Sequence, residues 1–336
     1  MQISEYVTLG HPDKTADFIS EYILDRLIEQ DPKTRYALEV QIKDNIVTLG
    51  GEITTNAVMD IKKWVREAVE EIGYTKEYAE KWGVENTLNA ADLHIHAHIS
   101  EQSNDIAQGV NTDAWGDQGI MFGMAVNNPE TDYLPKDFYL AKKLGQKLFE
   151  SKLGGLDIKT QIVLDDLEAV KKVIVAIPLL NDDNLPKIKD LIRSVIPACD
   201  YELIINGTGK YVKHSSMGDC GTTGRKLAVD FYGGNCNVGG GSPWTKDGTK
   251  ADLTLNMYAR HLALEYVQTM DVKYAKAGIG CCIGRQDVDI TIWNEKGEVL
   301  GSWTEDIKPS ELIERFELNK PVYAELCKNG LFSKIC

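Results

Sequence analysis

The sequence has no hydrophobic run long enough to cross a membrane. Its longest apolar stretch, VIVAIPLL at 173–180, falls far short of the roughly 20 apolar residues that a membrane-spanning helix needs. The first residues, MQISEYVTLG, contain no basic segment followed by an apolar one, which argues against a signal peptide. We therefore expect a cytoplasmic protein with no membrane partner.

Paired cysteines and an excess of positive charge are missing as well. The seven cysteines are odd in number, two of them (Cys281 and Cys282) are adjacent, and no pair has C-x-x-C spacing, so we expect reduced thiols. With 37 Lys and Arg against 51 Asp and Glu, the net charge is −14. Nucleic-acid binding relies on clustered positive charge, so we expect no nucleic-acid partner, and an anionic ligand needs a local basic pocket.

Helical and strand patterns alternate along the 336 residues, enough for two or three domains. Periodicity predicts strands near 35–42, 46–53, 92–100, 160–165, 171–178, 201–206, 279–284 and 287–293, and helices near 55–72, 137–150, 184–196, 252–270 and 309–317. The first two strands form a predicted hairpin. The aperiodic stretches 101–118 and 206–252 are predicted loops. Hairpins mixed with helices indicate α+β layers and not a regular parallel βαβ sheet.

The stretch VTLGHPDKTADFISEYILDRL at 7–27 predicts an amphipathic first helix. Its apolar side carries Ala16, Ile19, Ile23, Leu27 and Ile28, and its expected solvent side carries Asp17, Glu21, Asp25 and Arg26. Pro12 suits the first turn, where its missing N–H costs nothing. The residues around Pro12 are His11, Asp13 and Lys14, whose side chains can bind ions or transfer protons. Their position suggests a ligand at this end of the helix.

A helix N-terminus favours anions, so Lys14 could reach a phosphate there while Asp13 takes a metal ion. His11 could act as an acid or donate to a developing negative charge. The alternative for His11 is a capping residue with no chemistry.

Residues 217–252 combine glycines with cations in an otherwise acidic chain. The charged residues of this stretch include Arg225, Lys226, Lys246, Lys250, Asp219 and Asp252. Glycine lets the backbone approach anionic oxygens, Arg and Lys add charge, and an Asp can carry Mg²⁺ to a phosphate. Neither a Walker A pattern nor G-x-G-x-x-G is present. The stretch indicates polyphosphate binding, with a flexible, solvated surface loop as the alternative.

Together these motifs resemble the S-adenosylmethionine synthetase (methionine adenosyltransferase) family. The matching stretches, in the family's order, are GHPDKTADFIS (10–20), GGEITT (50–55), GDQGIMFG (116–123), GDCGTTGRK (218–226) and GGG followed by KDGTKAD (239–252). The resemblance implies three similar α+β domains around a pseudo-threefold axis, with sheets packed against helices. We expect an N-terminal domain at 1–102, a gating loop at 103–113, a central domain at 114–212 and a C-terminal domain at 213–336, with interleaving of the domains allowed.

The resemblance also implies a reaction. The sulfur of L-methionine attacks C5′ of ATP, and the tripolyphosphate that leaves is cleaved to pyrophosphate and phosphate. The implied cofactors are Mg²⁺, two per site, and K⁺. The implied assembly is a homodimer or a dimer of dimers whose active sites are shared between subunits.

Individual roles follow by matching positions to the family's motifs. Catalytic roles fall to His11, Lys159, Arg225 and Lys246. ATP and phosphate binding falls to His11, Lys14, Asp157, Lys159, Tyr211, Asp219, Arg225, Lys226, Lys246 and Lys250, with Tyr211 stacking on adenine. Methionine binding falls to Glu52, Gln102, Asp117, Asp219, Lys250 and Ile283. Asp13 and Asp252 match the Mg²⁺ ligands and Glu39 the K⁺ ligand. The alternatives are strand-face carboxylates for Glu39 and Glu52, a solvated Lys159 and a core Tyr211.

Several positions depart from the family pattern. Leu9 stands where the family usually has Glu before its G-H-P-D-K motif, and the loop after Gln102 is short. Trp244 and Thr245 replace small residues beside Lys246. We therefore expect a more open site, and we keep two alternatives: a chain that cleaves tripolyphosphate or accepts a methionine analogue, and an inactive nucleotide-binding paralogue or regulatory subunit.

Three histidines alternate along the predicted strand LHIHAHIS, at His94, His96 and His98, and so project from one face. Zinc takes imidazole ligands, but residues two apart on a strand lie roughly 6–7 Å from each other, which suits pairs better than a three-histidine site. We expect a packed or interface-facing row in preference to a zinc-binding structural role.

Overall fold

The computed structural model describes residues 1–101, 113–197 and 200–335. Its strands are β1 (Gln2–Val7), β2 (Arg35–Lys43), β3 (Ile46–Thr54), β4 (His94–Ser100), β5 (Gly119–Val126), β6 (Lys159–Leu164), β7 (Val170–Ala176), β8 (Glu202–Ile205), β9 (Gly221–Thr222), β10 (Tyr274–Cys281), β11 (Asp287–Asn294) and β12 (Val299–Asp306). Its α-helices are α1 (Pro12–Ile28), α2 (Ile61–Ile72), α3 (Lys76–Trp82), α4 (Lys136–Ser151), α5 (Leu185–Val195), α6 (Leu227–Asp230), α7 (Ala251–Thr269), α8 (Pro309–Arg315) and α9 (Tyr323–Asn329).

The strands form three sheets of four, ordered β1-β6-β7-β8, β9-β2-β3-β4 and β5-β10-β11-β12. In the order given, the first strand of each sheet is antiparallel to the second, and the second is antiparallel to the third. The fourth strand is parallel in the first two sheets and antiparallel in the third. This repetition, with helices packed on the sheets, confirms the predicted fold of three similar α+β domains.

Each sheet takes its edge strand from a distant part of the chain. β1 pairs with β6, β9 pairs with β2, and β5 pairs with β10. The sheets therefore cross the sequence boundaries 1–102, 114–212 and 213–336. Of the expected gating loop at 103–113, all but Asp113 lies outside the described residues.

The hairpin predicted over 35–53 is confirmed, because β2 and β3 pair antiparallel from Arg35–Thr54 to Lys43–Ile46. The helix predicted from residue 55 begins only at Ile61, where the Asp60 carboxylate caps it. The strand expected over 279–284 is instead β10, which ends at Cys281. Helices α3 and α9 and strand β12 carry no prediction from the sequence. Among the described residues, no helix has the length and apolar character that crossing a membrane requires.

Helix α1 lies at the centre of the larger of two apolar clusters, in contact with α2, α9, β2 and β9. Its apolar side is buried as predicted, with Ile19 and Ile23 fully inaccessible. Of its expected solvent side only Arg26 is partly exposed; Asp17 and Glu21 are fully buried, and Asp25 is nearly so. For the three acidic residues the prediction is wrong, because segments from the C-terminal part of the chain cover them. The second cluster lies between α4, α5 and the β1-β6-β7-β8 sheet.

Truncation of the α1 core gives a direct test of this packing. Ile23 is fully buried, so Ile23→Ala leaves a cavity and should lower the free energy of unfolding by about 2–5 kcal/mol. Leu167 is 89% exposed, so Leu167→Ala should change it by no more than about 0.5 kcal/mol. Denaturant titration followed by circular dichroism measures both. Equal destabilisation by the two variants would contradict the burial of α1.

Candidate active site

His11 is the N-cap of α1, immediately before Pro12. Its Nδ1 accepts a hydrogen bond from the Asp13 N–H at 3.2 Å, so the capping interpretation holds for this residue. Burial, helped by the nearby ammonium of Lys226, lowers the pKa of His11 to about 3. The imidazole is therefore neutral at pH 7. Since Nδ1 accepts, the ring proton is on Nε2, which leaves an N–H donor beyond the capping bond.

The Asp13 carboxylate joins the start of α1 to the first Gly-rich loop. Oδ1 accepts from the Thr222 N–H at 2.9 Å and Oδ2 from Lys226 Nζ at 2.5 Å. Arg225 Nε lies 4.0 Å from Oδ1 on a more exposed side chain. Burial acts to raise the pKa of Asp13, but the Lys226 ammonium and the Thr222 N–H outweigh it and hold that pKa below its usual range. A predicted Mg²⁺ ligand and two predicted phosphate ligands thus lie together.

The contact between this loop and α1 leaves no room for a side chain at one glycine. A Cβ at Gly221 would lie 2.1 Å from the Pro12 carbonyl oxygen. Since Gly221 also pairs with Ile42 of β2, the loop is held between the helix and the sheet. The glycine of this motif therefore serves close backbone packing.

Lys14 does not lie with this group. Its ammonium is buried 2.7 Å from Asp230 Oδ1 and 3.1 Å from Asp17 Oδ2, and it sits 4.6 Å from the centre of the Trp244 ring. Burial alone would lower the pKa of Lys14, but Asp230 and Asp17 outweigh it and raise it well above its usual value. Lys14 therefore points inward in the free chain, and its phosphate-binding role stays a prediction. Trp244, the unusual residue beside Lys246, covers the buried charge.

The second Gly-rich loop presents another lysine and aspartate in contact. Lys246 Nζ donates to Asp252 Oδ2, and the Gly241 N–H donates to Asp252 Oδ1 at 2.9 Å. Asp252 lies in the first turn of α7, where the helix dipole favours a carboxylate. Lys250 is the N-cap residue of the same helix and is partly exposed. A second predicted Mg²⁺ ligand thus lies against a second predicted phosphate ligand.

Glu39 of β2 connects the two loops. One of its oxygens accepts from Thr223 Oγ1 and the other from Thr245 Oγ1 at 3.1 Å. Thr223 follows the residue bonded to Asp13, and Thr245 precedes Lys246. The predicted K⁺ ligand therefore offers a carboxylate together with two hydroxyl oxygens, which are donors that hard cations accept.

No group of three or more His, Cys, Asp and Glu side chains in the described ranges could hold a metal ion on its own. Within those ranges, Asp13 and Asp252 each lie beside a lysine and not in a cluster of metal ligands. Mg²⁺ commonly binds through one or two carboxylates plus phosphate oxygens and water, so this donor set fits Mg²⁺ only in the company of a phosphorylated substrate.

The predicted adenosine side of the site is partly assembled. Asp157 is buried, accepts from the Ser215 N–H at 2.9 Å, and has its pKa raised to about 6 by burial. Tyr211 is partly buried and its hydroxyl donates to the Asp157 carbonyl at 3.3 Å. Lys159, the first residue of β6, lies near enough to His11 to lower its pKa, and the exposed Asp219 lies near enough to raise it. The α1 N-terminus, β6 and the first loop thus converge.

The predicted methionine ligands are more dispersed. Glu52 of β3 pairs across the sheet with Ala37, which forms a bridge with Lys246, so Glu52 lies in the same row as the second loop. Asp117 is exposed. Burial raises the pKa of the Cys281 thiol, and the nearby charges of Asp117 and Asp252 raise it further. Ile283 lies beyond the end of β10 and is 58% exposed. Gln102 lies outside the described residues.

The three histidines of β4 are all exposed on an edge strand. The expectation of a packed row is wrong within the described residues, because all three side chains are exposed to solvent there. The interface alternative stays a prediction.

Several residues at the site were assigned no functional role from the sequence. They are three buried carboxylates and three residues of the first Gly-rich loop that bond to carboxylates, namely Asp17, Glu21, Asp230, Thr222, Thr223 and Gly224. A usable signal was present for the acidic residues of α1, since their four-residue spacing places them on one helix face.

Comparison with known proteins agrees with this geometry. The sequence matches the N-terminal domain of S-adenosylmethionine synthetase over residues 1–104 and the C-terminal domain over 214–335. It is 33% identical to the S-adenosylmethionine synthase of Nitratidesulfovibrio vulgaris (strain DSM 19637 / Miyazaki F), over 98% of this chain and 92% of that protein. The structure resembles an unusual S-adenosylmethionine synthetase from Campylobacter jejuni with a TM-score of 0.85 at 28% identity, over 98% of this chain and 94% of that one. The chain therefore belongs to the S-adenosylmethionine synthetase family.

Proposed function

We propose that this enzyme forms S-adenosylmethionine from ATP and L-methionine and then cleaves the tripolyphosphate to pyrophosphate and phosphate. The observation that carries the proposal is the pair of lysine–aspartate contacts, Lys226 with Asp13 and Lys246 with Asp252. Each pair combines a cation for phosphate with a carboxylate for Mg²⁺, and Glu39 bonds to both loops. A polyphosphate with bound metal ions would match these pairs, because its oxygens would meet the lysines and its metal ions the carboxylates.

In the proposed reaction a lone pair on the methionine sulfur forms a bond to C5′ while the C5′–O bond breaks. The electrons of that bond go to the departing tripolyphosphate, and the sulfur becomes a sulfonium. A thioether is a modest nucleophile, so alignment and stabilisation of the leaving group supply most of the acceleration. His11, held neutral by burial, would donate its Nε2–H to the oxygen on which charge develops.

The cations divide between two loops. Lys226 and Arg225 would meet the phosphates near the α1 N-terminus, and Lys246 and Lys250 from the α7 side. Asp13 and Asp252 would hold Mg²⁺ against the same oxygens, and Glu39 would hold K⁺. Bound Mg²⁺ would neutralise charge on the leaving polyphosphate. Lys159 would add a further cation beside His11.

For the organic parts of the substrates, Tyr211 would stack on adenine while Asp157 and Asp219 contact the nucleoside. Glu52, Asp117 and Gln102 would bind the charged ends of methionine, and Ile283 its side chain. The exposure of Asp117 and Ile283 fits a site completed by a second subunit. We accordingly propose a homodimer or dimer of dimers, located in the cytoplasm. The intact charge pairs argue against the inactive-paralogue alternative, although Leu9 is buried where the family usually has an acid.

Replacing His11 separates its capping role from its chemical one. Ser caps helices well but is too short to donate at the reacting bond, so His11→Ser should fold and lose about 10²–10³-fold in kcat. The assay follows S-adenosylmethionine by mass spectrometry from ATP, methionine, Mg²⁺ and K⁺, with phosphate and pyrophosphate measured in the same samples. Wild-type activity in a folded His11→Ser variant would reduce His11 to a cap.

The charge state of His11 gives a pH prediction. Because its pKa in the folded protein lies near 3, below its ordinary 6.5, the imidazole takes up a proton only on strong acidification. Stability associated with the neutral ring is therefore present above pH 6.5 and lost as the pH falls toward 3. Carbon-13 resonances of His11, assigned by comparison with His11→Ser, should keep their neutral positions from pH 8 to about 5. A titration near pH 6.5 would contradict the buried, neutral ring.

The second charge pair can be tested with a matched surface pair. Lys246→Met should lower kcat/KM for ATP about 10- to 100-fold, since it removes a charged hydrogen-bond donor worth about 1.5–3 kcal/mol. Asp252→Asn should raise the Mg²⁺ concentration needed for half-maximal rate. Lys320→Met breaks the exposed pair with Glu317 and serves as the control, with kcat/KM unchanged. Equal rates for Lys246→Met and Lys320→Met would exclude the proposed role.

A further inference from the structure

Helix α1 carries an acidic row at four-residue intervals, composed of Asp13, Asp17, Glu21 and Asp25. An α-helix has 3.6 residues per turn, so this spacing places all four carboxylates on one side of the helix. The whole row is buried, and Asp17 and Glu21 are fully inaccessible. Burying a carboxylate is costly unless it is paired and hydrogen-bonded, so each member of the row needs a partner.

Each carboxylate accepts a backbone N–H from a segment about 200 or more residues further along the chain. Asp17 Oδ1 accepts from Gly224 at 2.9 Å, and Glu21 Oε1 accepts from Thr245 at 2.6 Å. Asp25 accepts from Tyr323 and Ala324, at the start of α9. In order along α1, the row therefore holds the first Gly-rich loop, the second Gly-rich loop and the last described helix.

The two loop residues held in the middle of the row share an unusual backbone. Gly224 has φ of 71° and Thr245 has φ of 72°, both in the left-handed region. That region is open to glycine but strained for a β-branched residue such as Thr. Thr245 is kept there by Glu21 on its N–H and by Glu39 on its hydroxyl. Each turn comes immediately before a cation, Arg225 in one loop and Lys246 in the other.

The remaining surroundings of the two carboxylates differ. In the described part of the chain neither Asp17 Oδ2 nor Glu21 Oε2 has a hydrogen-bond partner, but Asp17 Oδ2 forms an ion pair with the Lys14 ammonium at 3.1 Å. Burial raises the pKa of Asp17 to about 7 against the opposing effect of Lys14. Burial likewise raises the pKa of Glu21 well above its usual value, although the Thr245 N–H acts against it. Asp17 thus faces a cation, whereas Glu21 is held through its hydrogen bond from the Thr245 N–H.

We propose that Asp17 and Glu21 are positioning residues, which fix the two cation-bearing loops against α1 in the geometry that binds polyphosphate. They reach the substrate only through the loops they hold. The proposal rests on the proposed function for the identity of the ligand, but the loop geometry itself is a property of the free protein. A misplacement of a binding group by about 1 Å is enough to cost large factors in rate.

The test measures binding of inorganic tripolyphosphate with Mg²⁺ by calorimetry, together with kcat and KM for ATP. Asp17→Ala and Glu21→Ala should weaken tripolyphosphate binding and raise the KM for ATP by roughly tenfold or more. Glu21→Gln should retain most of the affinity, because its carboxamide oxygen accepts the same N–H. Asp17→Asn keeps the acceptor but loses the charge facing Lys14, so it should fall between wild type and Asp17→Ala.

Asp137→Ala is the matched control. Asp137 is a fully buried carboxylate that accepts hydrogen bonds from Ser4 and Asn235. Neither partner lies next to one of the cations assigned to polyphosphate binding. Asp137→Ala should lower the melting temperature without changing tripolyphosphate affinity. If Asp17→Ala and Glu21→Ala behave in the same way, with affinity and KM unchanged, the two carboxylates are merely structural and the proposal is overturned.

Amide hydrogen exchange on the ligand-free protein keeps the two proposals separate. Exchange at Gly224 and Thr245 should accelerate in the Ala variants at least tenfold relative to Asp137→Ala. Accelerated exchange in a chain whose wild type neither binds tripolyphosphate nor forms S-adenosylmethionine would sink the proposed function and leave the positioning role in place. Unchanged exchange at both amides would sink the positioning role whatever the wild type binds.

Discussion

The burial of a row of carboxyl groups along helix α1 is the constraint on which the site depends. The two Gly-rich loops carry Arg225, Lys226, Lys246 and Lys250, and like charges brought together repel unless opposite charge lies between them. α1 supplies opposite charge through Asp13, which pairs directly with Lys226, while Asp17 and Glu21 accept hydrogen bonds from the loop backbone. Since a buried polar group that loses its hydrogen-bond partner destabilises the folded state, the loops and the helix form one unit.

Local periodicity predicted much of the fold because it reports which side of an element meets apolar neighbours. The β2–β3 hairpin, α4, α5 and α7 lie close to their expected positions. The failures occur where a distant segment decides the outcome. The acidic side of α1 was expected in solvent because nothing near it in sequence reveals the loops that cover it. Likewise, no local pattern shows that β1 pairs with β6.

Motif matching, in contrast, identified most of the charged residues that the structure brings together. Asp13 with Lys226, and Lys246 with Asp252, are pairs between or within matched motifs. Lys14 shows the limit of that reasoning. Its motif predicts a phosphate ligand, yet its partner Asp230 lies 216 residues away and Trp244 covers it. A side chain's direction depends on such long-range partners, which composition and spacing do not contain.

In the ligand-free chain, each pair brings together a predicted phosphate ligand and a predicted metal ligand. Without Asp13 and Asp252, Lys226 and Lys246 would be unpaired cations that attract any polyanion. A substrate that brings phosphate oxygens and Mg²⁺ together offers both members of a pair a new partner, whereas a polyanion without the metal ion would take the lysine and leave the carboxylate uncompensated. On this argument the pairs favour metal-loaded polyphosphate over other anions, and the surrounding net charge of −14 adds to the same selectivity.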